Sequence, residues 1–85
     1  MPEHVYRLTE VVGTSSESVD RAVRAAVDRA ARTLQGLDWF EVQEVRGRIE
    51  NGSISEYQVT VKIGFRLMDA AERNPPSTGA SQDPD

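Results

Sequence analysis

The chain has 85 residues, no cysteine and one histidine, His4, which excludes disulfides, thiolate zinc sites and a histidine cluster within one chain. Its formal charge of −4, ten Lys plus Arg against fourteen Asp plus Glu, provides no electrostatic footprint for DNA or RNA. No apolar run approaches the roughly 18 residues of a membrane span and no signal-peptide h-region opens the sequence, so no membrane partner and a cytoplasmic location are expected. A domain this small removes only a modest share of its surface from water on folding. With disulfides and metal excluded, self-association is the remedy left for a marginal core.

The first periodic stretch, His4-Val5-Tyr6-Arg7-Leu8-Thr9-Glu10-Val11-Val12, is rich in β-branched and aromatic residues and reads as a strand. Gly13-Thr14-Ser15-Ser16 is expected to break it. Thr14 and Glu17 have capping-box spacing, with Ser15 and Ser16 as alternative caps. From Val19 the period becomes helical: Val19, Ala22, Val23, Ala26, Val27, Ala30 and Leu34 form one apolar stripe. The opposite side carries the i,i+4 pairs Glu17–Arg21, Asp20–Arg24 and Asp28–Arg32, which mark a solvated face. The alanines of the stripe allow close approach to whatever covers it, and Gly36 suits a C-terminal cap.

A second strand is expected from Trp39 to about Ile49 and a third from Ile54 to Leu67, with Glu50-Asn51-Gly52-Ser53 between them. Asn-Gly between two such runs is a strong hairpin signal, because a type I′ turn needs positive φ at both central residues. Tyr57, Val59, Val61, Ile63, Phe65 and Leu67 alternate with Glu56, Gln58, Thr60, Lys62, Gly64 and Arg66. After Met68 the composition turns to proline and small polar residues, so residues 69–85 are expected to be a disordered tail behind a domain at 1–68.

The predicted fold class is therefore α+β, with a β-α-β-β order. Placing the third strand between the other two yields an antiparallel sheet of order 1-3-2 with the helix on one face. Counting outward from Asn51-Gly52 pairs Glu50 with Ser53, Arg48 with Ser55, Val45 with Gln58, Gln43 with Thr60, Glu41 with Lys62 and Trp39 with Gly64. On the helix side Val42 meets Val61, Phe40 meets Ile63 and Arg46 meets Tyr57, unless a bulge shifts the frame. Trp39 then lies away from the helix opposite a glycine, an aromatic that a second subunit or a planar ligand must cover.

Val12-Gly13-Thr14-Ser15, Thr33-Leu34, Leu37-Asp38-Trp39-Phe40-Glu41-Val42, Val45-Arg46-Gly47, Tyr57-Gln58-Val59 and Val61-x-Ile63-Gly64-Phe65-Arg66-Leu67 closely resemble the dodecins. The match runs in order and with matching spacing over about residues 4 to 67. The resemblance implies a β-α-β-β subunit assembled as a hollow homododecamer, with flavins stacked in pairs between tryptophans of neighbouring subunits. Trp39 stands at the stacking position, and Gln58 where a glutamine bonds the isoalloxazine edge. Asp38 and Arg46 fall at ligand-contacting positions, Arg46 toward an FMN phosphate. The implied cofactor is FMN, with riboflavin or FAD as alternatives. Some bacterial members also hold coenzyme A; the corresponding positions here are Arg29, Arg66 and His4, the last standing where a relative has lysine.

The implied function is non-catalytic flavin storage and photoprotection, since an indole stacked on a flavin quenches its excited state by electron donation. Two alternatives stand beside it. A flavoenzyme would need a substrate pocket and an acid or base at the ring, and Glu41 and Glu44, expected on opposite faces, supply neither. A pure assembly protein would use Trp39 only as an interface anchor. If Trp39 and Gln58 share a face, they lie about six residues apart along the hairpin, roughly 20 Å at the rise of a strand. One flavin can then touch both only across two subunits.

Overall fold

The structure, a computed structural model, describes residues 3–68; the expected tail at 69–85 lies outside them. The elements follow the expected order: β1 (Tyr6–Ser15), α1 (Val19–Ala31), β2 (Leu37–Glu50) and β3 (Ser53–Arg66). The sheet is antiparallel, with strand order β1-β3-β2. Among the described residues no helix is long and apolar enough to cross a membrane.

β1 runs further than its composition suggests. Gly13, Thr14 and Ser15 stay in the ladder, opposite Val59, Gln58 and Tyr57, so Gly13 does not end the strand. Its role is steric. A Cβ at Gly13 would lie 2.0 Å from the Ala22 carbonyl oxygen and 3.0 Å from Ala26 Cβ, so the bare glycine is what lets α1 rest on the sheet.

The helix cap also differs from expectation. Ser18 is the N-cap, its Oγ accepting from the Arg21 N–H at 3.0 Å. Ser15 Oγ instead accepts from the N–H groups of Glu17, at 2.9 Å, and Ser18, at 3.3 Å, shaping the turn out of β1. Thr14 stays paired in the sheet, which is why the Thr14–Glu17 capping box does not form. Ser18→Ala is expected to lower the unfolding free energy by about 1 kcal/mol. Denaturation at matched protomer concentration checks this, and an unchanged midpoint would remove the cap from the account. At the other end α1 stops at Ala31 with Arg32 as C-cap, four residues before Gly36. Gly36, at φ +74, forms the left-handed corner into β2, and its carbonyl accepts from the Arg66 N–H at 3.0 Å. Glu17–Arg21 and Asp20–Arg24 form ion pairs at 3.1 and 3.0 Å on the exposed side of α1, whereas Asp28 and Arg32 form none among the described residues.

The buried core is Ala22, Ala26 and Ala30 of α1 against Val59, Val61 and Ile63 of β3, with Val11, Val19, Val23, Val27, Leu34 and Leu37 around it. Only three large side chains in it are fully buried, all on the central strand. The helix lies over β1 and β3 and scarcely touches β2. Phe40, Val42 and Val45 therefore pair with Ile63, Val61 and Val59 on the helix side, yet stay exposed, Phe40 by 52%. The expectation that the Phe40–Ile63 and Val42–Val61 pairs lie under the helix holds only for their β3 members.

The Asn51-Gly52 turn forms as expected, with φ of 52 and 80. Beyond it the hairpin register carries irregularities at Arg48/Ile49, Val42/Glu44 and Leu37/Trp39. At the first, Ser55 is extra on β3 and its hydroxyl donates to the Arg48 carbonyl at 3.3 Å. At the second, Gln43 is extra on β2 and restores the original frame. The pairs Glu50–Ser53, Glu41–Lys62, Val42–Val61, Phe40–Ile63 and Trp39–Gly64 stand as counted, while everything between the bulges moves by one residue. Arg48 meets Glu56, Arg46 meets Gln58, Val45 meets Val59 and Glu44 meets Thr60, in place of Arg48–Ser55, Arg46–Tyr57, Val45–Gln58 and Gln43–Thr60.

Candidate functional site on the outward sheet face

Side chains directly opposed in an antiparallel ladder point to the same face. Because Val59, Val61 and Ile63 face the helix, the even-numbered residues of β3 and their partners form the outward face. Trp39 lies on it opposite Gly64, as expected. The indole rests directly on that glycine: a Cβ at Gly64 would come within 2.4 Å of Trp39 Cε2 and Cζ2. Gly64 is itself buried while Trp39 remains 42% exposed, so one side of the ring is seated and the other is bare.

Tyr6, which the sequence reading passed over, supports the ring from the side. Its ring centroid is 5.0 Å from that of Trp39 at an interplanar angle of 57°, a tilted pair. The signal was available: with β1 beside β3, Leu8 falls opposite Gly64 and Tyr6 opposite Arg66, diagonal to the indole seat. The Asp38 carboxylate accepts from the Tyr6 hydroxyl and, with some desolvation, holds that phenol above its ordinary value of 10.0. Asp38 occupies the bulge between Leu37 and Trp39, which positions its carboxylate beside β1.

At the other end of the face the bulges correct the sequence reading of Arg46. Strict alternation directs it toward the helix beside Tyr57; the residue added at Ser55 turns it outward, opposite Gln58. There Arg46 Nε donates to Gln58 Oε1 at 2.9 Å, and Gln58 Nε2 donates to Glu56 Oε1 at 2.9 Å. The same frame shift places Glu44 outward with Glu41, so those two carboxylates share a face rather than oppose one another. Among the described residues no group of three His, Cys, Asp or Glu side chains is disposed to hold a metal ion.

His4 and Arg66 meet at the Trp39 end, with Arg66 Nη1 2.9 Å from His4 Nδ1. Arg29 is separate from both: it lines a groove of about 580 Å³ between α1 and β1, together with Thr9, Val12 and Thr33. The cleft that includes Trp39, bounded by Val27, Leu37, Asp38, Phe40 and Ile63, measures only about 150 Å³. Ligand pockets usually run to about 300–1,000 Å³. That small cleft lies on the helix side with Val27 and Ile63, while on the outward face the described residues offer a planar platform at Trp39 and a separate polar cluster at Gln58.

Residues 5–68 match the Dodecin family model. Dodecin from Thermus thermophilus is 52% identical over 63 residues, which cover 74% of this chain and 91% of that protein. The structure of dodecin from Streptomyces coelicolor superposes with a TM-score of 0.78 at 58% identity, covering 82% of this chain and all of that one. Dodecin from Streptomyces davaonensis superposes at 0.77 with 54% identity, over 80% of this chain and 100% of that chain.

Proposed function

The chain belongs to the dodecin family, and from that premise we propose that it binds flavin without transforming it, storing and shielding FMN or riboflavin in a homododecamer. The observation that carries this reading is the seat of Trp39, an indole laid flat on Gly64 with its outer face bare. A rigid, uncovered aromatic plane suits a planar aromatic ligand better than a side chain of irregular shape. Gln58 and Arg46 lie on the same face and supply amide and guanidinium contacts, but six residues further along β3, roughly 20 Å away at the rise of a strand. No single isoalloxazine spans that. The indole of one subunit and the Gln58–Arg46 cluster of another make one site together, so binding requires the assembly.

Assembly has a surface of its own. Phe40, Val42 and Val45 are exposed on the opposite side of the sheet, where a neighbouring subunit would cover them, so Trp39 is not needed to explain association. The flavoenzyme alternative gains no support from Glu41 and Glu44. They share a face, but among the described residues neither lines any of the clefts at α1, β1 and the start of β2. Titrating purified protein with riboflavin and FMN tests the proposal: saturable uptake with loss of flavin fluorescence is expected, and absence of uptake refutes it. Arg46→Ala is expected to weaken FMN far more than riboflavin, because only FMN offers a phosphate for a charge-assisted contact. Equal losses for the two ligands would assign Arg46 to holding Gln58 instead.

A further inference from the structure

Gln58 is gripped from both sides. Its Oε1 accepts from Arg46 Nε and its Nε2 donates to Glu56 Oε1, each at 2.9 Å. An arginine side chain carries only donors and an ionised glutamate only acceptors. A flipped amide would turn its NH₂ toward the guanidinium and its oxygen toward the carboxylate, losing both bonds and opposing like partial charges. The two partners together therefore permit one orientation. Either alone would leave the other end of the amide free to turn with the side chain. Glu56 stands two residues before Gln58 on β3, so the pleat places both on the outward face, and both are half-buried there. Ser55, extra on its strand, is what brings Arg46 opposite Gln58 and completes the chain.

We propose that Glu56 is a positioning residue of the ligand site, fixing through Gln58 which side of that site presents a donor and which an acceptor. The proposal rests on the flavin reading above and adds a residue to it. After its two internal bonds the amide retains one N–H and one lone pair. A donor beside an acceptor complements the N3–H and adjacent carbonyl of an oxidised flavin. Held in advance, the amide need not be ordered when the ligand arrives, and pre-organisation of this kind raises affinity by reducing the cost of binding.

The orientation can be read without ligand. The chain has four glutamines, Gln35, Gln43, Gln58 and Gln82, so selective ¹⁵N-glutamine labelling yields four side-chain NH₂ pairs, and Gln58→Ala identifies one of them. In the unliganded protein that pair is expected to show slowed solvent exchange and a hydrogen-bonded shift. Glu56→Ala is expected to move it to solvated values. A Gln58 pair already at solvated values in the wild-type protein overturns the proposal, whatever the protein binds. With riboflavin, Glu56→Ala is expected to lower affinity about three- to tenfold, the worth of one hydrogen bond. An N3-methylated flavin, which lacks the donor, should lose little. In a Gln58→Ala background the Glu56 substitution should have no further effect, whereas additive losses would show that Glu56 acts independently of Gln58. If the wild-type protein takes up no flavin, the storage reading fails while the amide measurement still decides the orientation.

Discussion

Trp39→Ala is expected to reduce flavin affinity at least tenfold and to leave any flavin that still binds brighter than in the wild-type protein. The indole lies flat on Gly64 and against Tyr6, so its outer face is already positioned for stacking. An aromatic pair contributes about 0.5–1.5 kcal/mol beyond its area burial, and a tenfold change in affinity corresponds to about 1.4 kcal/mol. Lost burial and lost stacking together exceed that. Trp39→Phe should restore part of the affinity but little of the quenching, because a phenyl ring is a poor electron donor. Gly64→Ala attacks the same surface from beneath: a methyl 2.4 Å from the ring carbons must tilt the indole off its seat. Affinity should fall with the tryptophan retained. Fluorescence titrations beside sedimentation profiles separate ligand from assembly. An alanine variant at position 39 that binds and quenches like the wild-type protein removes the stacking site; one that falls to monomers makes Trp39 an interface anchor first.

Gly13→Ala is expected to cause the largest loss of stability among single-methyl additions in the chain. The new Cβ would sit 2.0 Å from the Ala22 carbonyl oxygen, and a backbone atom cannot escape by changing rotamer. The helix must lift from the sheet, opening the alanine contacts of Ala22 and Ala26 with Val59 and Val61. Overpacking of this kind costs about 1–3 kcal/mol and occasionally more, a large fraction of the 5–15 kcal/mol that typically holds a domain together. Gly52→Ala is the control. Nothing lies within 4 Å of a Cβ there, so only the cost of its φ of +80 remains. Denaturation at matched protomer concentration should rank Gly13→Ala well below Gly52→Ala and wild type. A midpoint for Gly13→Ala equal to that of wild type would mean the helix does not rest on this glycine.

Periodicity and turn chemistry sufficed for much of this molecule. The helical stripe from Val19, the alternation of β3 and the Asn51-Gly52 pair carry local physics, and each element they indicate forms. Chain economy then placed β3 in the middle, which put Trp39 opposite Gly64 with the indole facing away from α1. These features were legible because each depends on residues close in sequence, or on one counting frame anchored at the turn.

What the tertiary structure decided is the frame between the bulges and the reach of the helix. Period-two alternation is indifferent to a one-residue slip unless one face is strongly apolar, and the β2 segment from Gln43 to Arg48 is mixed on both faces. Val45 could be counted outward beside Gln58 or inward beside Val59. Packing chose Val59, which α1 buries, and the extra residues at Ser55 and Gln43 absorb the difference. That single choice turned Arg46 from the helix side to Gln58 and built the Arg46–Gln58–Glu56 chain. Gly13 likewise reads as a breaker in sequence, because the constraint it meets is a helix carbonyl nine positions later that only the docked α1 brings near. Phe40 and Val42 read as core from their period; they and Val45 are surface because a single helix of 13 residues cannot cover three strands.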